Sequence, residues 1–216
     1  TQRTLTYDPN GGTFVLNTDI DLPSSTGNYN YRAIATIGFA PSTTYSINFA
    51  SATLISGTAT EFHVLLYKFG DPQKRYATIK VPFGTNVSAV FTSPASLNPS
   101  DNNQILVYAG LAGSTAGNSV SFRGITMSVT KTLTWDSVCG VSPTPTREGY
   151  TFKGWSTESE GSTQDFSNKT YSSVFGKEDG WLYAIWEIKQ FKITTEAGAH
   201  GTITESMTVD WGTTAT

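Results

Sequence analysis

Apolar and polar residues alternate one for one along most of this chain. Successive side chains of a β-strand point to opposite faces, so this period marks half-buried strands. The stretch 125–135 shows it best: Ile125, Met127, Val129, Leu133 and Trp135 share one face, and Thr126, Ser128, Thr130, Thr132 and Thr134 share the other. Lys131 alone interrupts the apolar face. It reads as the point where one strand leaves a first core and the next enters a second, and so as the main domain boundary. Upstream, strands are predicted at Phe14–Thr18, Tyr31–Phe39, Tyr45–Ala50, Phe62–Phe69, Tyr76–Val81, Val87–Thr92, Ile105–Tyr108 and Val120–Val129. Turn residues separate them at Gly70-Asp71-Pro72, at Phe83-Gly84-Thr85-Asn86, and between Pro94 and Asn103. So many short strands with no helical period predict an all-β chain with a jelly-roll sandwich.

One predicted strand is apolar on both sides. Phe62, Val64 and Leu66 line one face, while Leu65, Tyr67 and Phe69 follow His63 on the other. Such a strand is either central in a covered sheet or has one face open to a ligand. From about 131 the spacing changes. Pro143, Pro145 and Gly149 break the chain before a compact aromatic block of Tyr150, Phe152, Trp155, Phe166, Tyr171, Phe175, Trp181, Tyr183 and Trp186. A domain of about 70 residues has little interior and fills it with large side chains, so Tyr150, Phe152, Trp155, Trp181, Tyr183 and Trp186 are assigned to its core. Strand signals recur at Phe191–Thr195, Thr202–Thr204 and Met207–Trp211.

Composition narrows the function. Only 14% of residues are charged and the net charge is −3, with no basic run, so nucleic acid and anionic membranes have no electrostatic footprint here. The single Cys139 rules out an internal disulfide, and its neighbours Val138, Gly140 and Val141 mark a packed thiol rather than a nucleophile. No window holds the roughly 18 apolar residues that span a bilayer. The N-terminus lacks a signal-peptide pattern, so a secreted protein would be represented by an internal fragment.

The aromatic block resembles a known family. Pro143-Thr-Pro-Thr-Arg-Glu-Gly-Tyr-Thr-Phe-Lys-Gly-Trp155, an acidic Gly-containing turn, and Trp181-Leu-Tyr-Ala-Ile-Trp186 resemble the Listeria–Bacteroides repeat, or internalin B-repeat. That resemblance implies a small β-grasp-like fold, repeated in tandem on secreted and wall-attached bacterial proteins. The family's opening strand is similar to Leu5-Thr-Tyr-Asp-Pro-Asn-Gly-Gly-Thr13, far upstream, and its second segment is similar to Lys131-Thr-Leu-Thr-Trp-Asp-Ser-Val-Cys-Gly140. The implied organisation is an interrupted repeat. Residues 1–13 supply its first strand, 14–130 are an inserted jelly roll, 131–188 complete it, and 189–216 begin a second, divergent repeat. The rival is a truncated repeat, a separate sandwich and a complete repeat. The insertion reading requires residues 5–9 to pair in one sheet with 181–186 or 132–135.

Within the insert, Tyr108–Phe122, Ile125–Val129 and Tyr45–Phe49 are similar to strands of jelly-roll carbohydrate-binding modules. Such modules often carry an acidic pair before the last strand that holds a structural calcium, where this chain has Arg123-Gly124. Asp19 and Asp21 are weak candidate metal ligands, against a blander reading as solvated strand-end charges. No other cofactor is expected.

Catalysis finds no support. His63 and His200 stand far apart, at neither metal-ligand nor triad spacing, and no facing carboxylate pair can be identified. The candidate ligand residues are instead Tyr29, Tyr31, Tyr67, Phe69 and Tyr76, with Asn28 and Arg75 as polar partners for a glycan. The alternative for each aromatic is an ordinary core or rim position. The expected function is a non-catalytic, extracellular segment of a bacterial surface or secreted protein. Its jelly roll would bind a glycan or a host or cell-surface ligand, and its repeats would act as spacers beside neighbouring repeats, without nucleic acid or membrane insertion. The alternatives are a purely structural stalk or an accessory module of a secreted carbohydrate-active enzyme.

Overall fold

The computed structural model describes residues 1–71, 74–203 and 205–214. Pro72 of the first predicted turn, Thr204 of a predicted tail strand, and residues 215–216 of the partial repeat lie outside them. The elements are β1 (Gln2–Asp8), β2 (Ile20–Leu22), β3 (Tyr31–Ala35), β4 (Thr44–Ser56), β5 (Glu61–Lys68), β6 (Arg75–Pro82) and β7 (Gly84–Thr92). They continue as β8 (Asn103–Tyr108), β9 (Ser119–Thr134), β10 (Tyr150–Ser156), α1 (Tyr171–Phe175), β11 (Gly180–Ile188), β12 (Gln190–Ile193) and β13 (Met207–Asp210). The chain is all-β, as its alternation predicts. The five-residue helix α1 is too short to leave a periodic signal.

Two sheets face each other to form the sandwich. One runs β10-β11-β1-β9-β4-β7, with β2 beside β9, and the other runs β3-β8-β5-β6. Between them Phe49 of β4 and Phe122 of β9 meet Phe62 of β5, with ring centroids 4.9–5.5 Å apart. All three are fully buried. Such aromatic clusters supply much of a small core's packing energy.

The predicted strand Phe14–Thr18 does not form. Phe14 and Val15 are buried, but the chain here is pinned at single points. Thr13 and Thr146 exchange two backbone hydrogen bonds (2.7 and 2.8 Å), and Leu16 N–H donates to the Ile34 carbonyl. The strand forms a few residues later as β2, where Ile20 and Leu22 point inward.

Lys131 is a second difference. It ends no strand: β9 runs unbroken for 16 residues, and Lys131 is only 3% exposed. Its ammonium donates to the carbonyls of Cys139 (2.9 Å) and Val141 (2.8 Å), so two of its three N–H groups are bonded within the protein. The buried apolar residues on both sides of it join in one cluster reaching from Leu5 through Phe122 to Ala184.

β1 lies between the two parts of that sheet. It pairs in parallel with β11, Leu5 opposite Gly180 through Asp8 opposite Tyr183. It pairs antiparallel with β9, Gln2 opposite Thr134 through Tyr7 opposite Val129. The turn after it fixes its end. A Cβ on Gly12 would stand 2.5 Å from the Trp186 ring and 2.7 Å from the Thr146 carbonyl oxygen, so only glycine fits. Trp186 Nε1–H donates to the Pro9 carbonyl from the far side (3.0 Å).

In the repeat, Phe152, Trp155 and Trp186 pack edge to face in the core as assigned, with centroids 5.5 Å apart. Trp181 does not join them. On β11 it alternates with the buried Gly180 and Leu182, and therefore faces solvent at 49% exposure.

The tail folds as a hairpin, β12 against β13, with Gln190 opposite Asp210. It is docked on the repeat. Lys189 N–H donates to the Gly149 carbonyl, Trp211 N–H donates to the Lys189 carbonyl, and the Trp211 ring lies over the Gly149 α-carbon. A Cβ there would approach Trp211 Cδ1 to 2.0 Å, and Gly149 also holds φ +75°.

Gly149→Ala should therefore undock the hairpin. Amide exchange across 190–193 and 207–211 should accelerate at least tenfold while β4 and β9 amides stay protected, and equal protection in the variant would contradict this docking. A second prediction concerns Lys131. Burial pulls its amine from 10.5 down to about 8. Between those values the unfolded chain holds a proton that the folded chain has released, so stability rises with pH. Above about 9 the buried Cys139 thiol, itself pushed up by burial, acts in the opposite sense. Urea unfolding should gain about 1 kcal/mol between pH 7 and pH 9, and Lys131→Met should flatten that slope.

Candidate functional site

β5 is apolar on both sides because its two faces meet different surroundings. Phe62, Val64 and Leu66 enter the sandwich core. Leu65 faces outward, where it joins Leu106 and Tyr108 of β8 in a separate buried cluster, with Ala33, Tyr67 and Ala112 packed on it. Among the described residues no other sheet covers this outer layer. Over it lies a groove of about 290 Å³, lined by Tyr29, Tyr31, Leu65, Tyr67, Arg75, Leu106 and Tyr108.

Strand register brings these residues together. Tyr31 sits opposite Tyr108, Leu65 opposite Leu106, and Tyr67 opposite Arg75, so neighbouring strands present side chains at one level. The Tyr31 and Tyr108 rings are 5.1 Å apart and tilted by 38°. Tyr108 forms the floor at 5% exposure, whereas Tyr31 (43%) and Tyr29 (59%) stand up at the rim. Burial pushes the Tyr108 phenol above its ordinary pKa, with the Arg75 charge pulling the other way, so the phenol is neutral at physiological pH. The Tyr67 hydroxyl accepts a hydrogen bond from Gly70 N–H (3.3 Å), which ties the ring to the end of β5.

The loop that carries Tyr29 is held from both sides. Gly113 N–H donates to the Asn28 carbonyl, and Asn30 N–H donates to Thr115 Oγ1 (2.8 Å). The Asn30 carboxamide donates to the Pro23 carbonyl (2.7 Å). The rim is thus set by backbone and buried side-chain bonds rather than left loose.

Of the sequence-derived candidates, Tyr29, Tyr31, Tyr67 and Arg75 converge on the groove. Phe69 stands beside it, exposed, with its ring 6.5 Å from that of Tyr67. Asn28 contributes its backbone carbonyl to the loop and does not line the groove. Tyr76 points the other way and packs against the sandwich core. A register shift does this: Leu66 pairs with Ala77 and Tyr67 with Arg75, so Tyr76 is skipped in the ladder and turns inward beside Ala77 and Ile79. Leu106 and Tyr108 escaped the sequence reading, although Ile105-Leu106-Val107-Tyr108 carries the same two-sided apolar signal as β5.

The acidic pair near β2 is already engaged. Asp21 carries an ion pair from Arg123 (2.8 Å), which with the Ser121 hydroxyl holds its carboxyl below the usual range. Asp19 Oδ1 accepts the Gly124 N–H (2.9 Å). Arg123 and Gly124 thus reach back as donors to Asp21 and Asp19. Among the described residues no three His, Cys, Asp or Glu side chains gather as metal ligands. His63 also has a structural contact: Nδ1 accepts the Ala112 N–H (2.9 Å), and burial holds its pKa low, keeping it neutral. His200 lies in an exposed tail turn at φ +71°.

Comparison with known proteins adds the following. The Listeria-Bacteroides repeat domain family matches residues 118–185, a span that opens at the start of β9. Two curated proteins of Evansella cellulosilytica are similar. A "Putative Gly-rich membrane protein" is 33% identical over 41% of this chain, and a "Putative membrane protein" is 36% identical over 38% of it. The matches span 10% and 13% of the length of those relatives. A solved structure described as "CBM4 structure and function" covers 58% of this chain and 92% of its own, at 18% identity and a TM-score of 0.35. No helix among the described residues is long and apolar enough to cross a membrane. The part of the chain similar to the Listeria-Bacteroides repeat domain family thus runs from β9 through most of β11.

Proposed function

We propose that this chain is a non-catalytic, extracellular segment of a modular bacterial surface protein, in which the sandwich recognises a glycan and the repeat serves as spacer. The observation that carries the recognition is the tyrosine-lined groove on the outer face of the β3-β8-β5-β6 sheet. Sugar rings have apolar C–H faces that pack on aromatic rings, and their hydroxyls need a few fixed polar partners. Four tyrosines and one arginine offer both. The rim is braced by backbone bonds, so little ordering entropy would oppose binding.

The repeat supports the surface setting, and the relatives' names place those proteins at a membrane. We further propose that residues 14–130 interrupt a repeat whose first strand is 1–13, whose remainder is 131–188, and whose successor begins within 189–216. β1 supports this, since it pairs with both β9 and β11 across the long intervening segment. Thr13 and Thr146 are likewise bonded across it.

Glycan-array screening tests the recognition. The chain should bind at least one glycan class, and Tyr31→Ala should weaken it about tenfold or more without lowering the melting temperature. Tyr76→Ala should do the reverse, losing stability by about 2 kcal/mol or more while the glycan profile persists. A folded chain that binds no glycan would leave only the spacer role. Replacing 14–130 with a flexible Gly-Ser linker tests the organisation, because a cooperatively unfolding product is expected and a molten one would sink the insertion reading.

A further inference from the structure

The side chains lining the groove are unusual in what they lack. Neutral sugars present hydroxyls that both donate and accept, so a matching site needs acceptors as well as donors. Here the phenols of Tyr29, Tyr31, Tyr67 and Tyr108 are the side chains that can accept, and among the described residues no carboxylate or carboxamide joins them in lining the groove. Its polar groups are phenolic hydroxyls and one guanidinium, and a guanidinium only donates. The chain as a whole carries −3, yet this groove carries +1 from Arg75.

Arg75 is also uncommitted. The described residues form four ion pairs, using Lys68, Lys80, Arg123 and Lys153, and Arg75 enters none of them. It sits at the first position of β6, opposite Tyr67, so its stem rises from the sheet beside the groove wall. Tyr67 lies directly opposite it on β5, and its charge also reaches Tyr108 and His63 on the facing strands. Among the described residues no carboxylate lines the groove to neutralise it. A guanidinium fork matches a planar carboxylate or a sulfate in two parallel hydrogen bonds, about twice as strong as neutral ones.

We infer that the groove selects acidic oligosaccharides: a sugar ring packs on Tyr31 and Tyr108 while Arg75 binds its carboxylate or sulfate. This rests on the glycan reading of the same groove and adds the ligand's charge class. Binding falls as salt rises, because the contact includes one charge pair at a partly exposed site.

The test is an array of matched glycans: uronic-acid oligosaccharides, their methyl esters, sulfated oligosaccharides, and the neutral parents, followed by calorimetric titration of the best binder. Acidic members should bind at least tenfold more tightly than their neutral partners, and Arg75→Gln should abolish that margin while keeping the residual affinity for the neutral backbone. Preference for the uronic acid over its methyl ester assigns a carboxylate, and preference for the sulfated member assigns a sulfate. Equal binding of acidic and neutral partners, unchanged in Arg75→Gln, overturns the charge selectivity and leaves glycan recognition standing. Binding that survives both Tyr31→Ala and Arg75→Gln moves the ligand away from this groove and overturns both.

Discussion

Strand β9 hydrogen-bonds to β4 along one edge and to β2 and then β1 along the other. Everything else hangs on that strand. Its first part contributes Phe122 and Ile125 to the sandwich, and its last part places Leu133 beside the repeat's aromatics. A strand that serves two halves cannot slip by one residue, because a slip would turn every buried side chain outward in both at once. Lys131 falls where the two halves meet, and its burial is tolerable because Cys139 and Val141 offer carbonyls to the amine. The sheet therefore passes from one half to the other without an edge.

This arrangement explains what could be read from the residues and what could not. Period-two alternation located β3 to β9 well, since strands half-buried against one core must alternate. It failed at Phe14–Thr18, where the buried Phe14 and Val15 are held by isolated backbone bonds rather than a ladder. It failed again at Lys131, because a charge in an apolar phase looks like a break unless the two carbonyls that satisfy it are known. Those carbonyls come from residues 8 and 10 positions away, in a loop with no pattern of its own. The glycine-rich motifs were more informative. Gly12 and Gly149 both lie where an indole ring or a carbonyl presses on the backbone, which no alternation rule reports.

For the groove, four of the seven candidate residues were legible because tyrosines and an arginine stand out on a chain with few charges. Tyr76 was misplaced because strict alternation with the inward Val81, Ile79 and Ala77 points it outward, and the register shift that turns it inward leaves no mark in the sequence. Tyr108 was overlooked because an aromatic at the end of an apolar run reads as core, and by burial it is core. Its role depends on which core: the small outer layer with Leu65 and Leu106 is only one side chain deep, so its floor is also the groove's surface.

The parallel pairing of β1 with β11 has a mechanical consequence. A pull applied upstream of Gln2 and downstream of Ile188 would load the two strands in opposite directions along their common axis. Their ladder then resists in shear, with all its hydrogen bonds sharing the load, rather than opening one bond at a time like a zipper. Strands β2 to β8 lie off that line of tension. A tethered protein built this way could bear stretching through the repeat while the groove on the sandwich kept its shape.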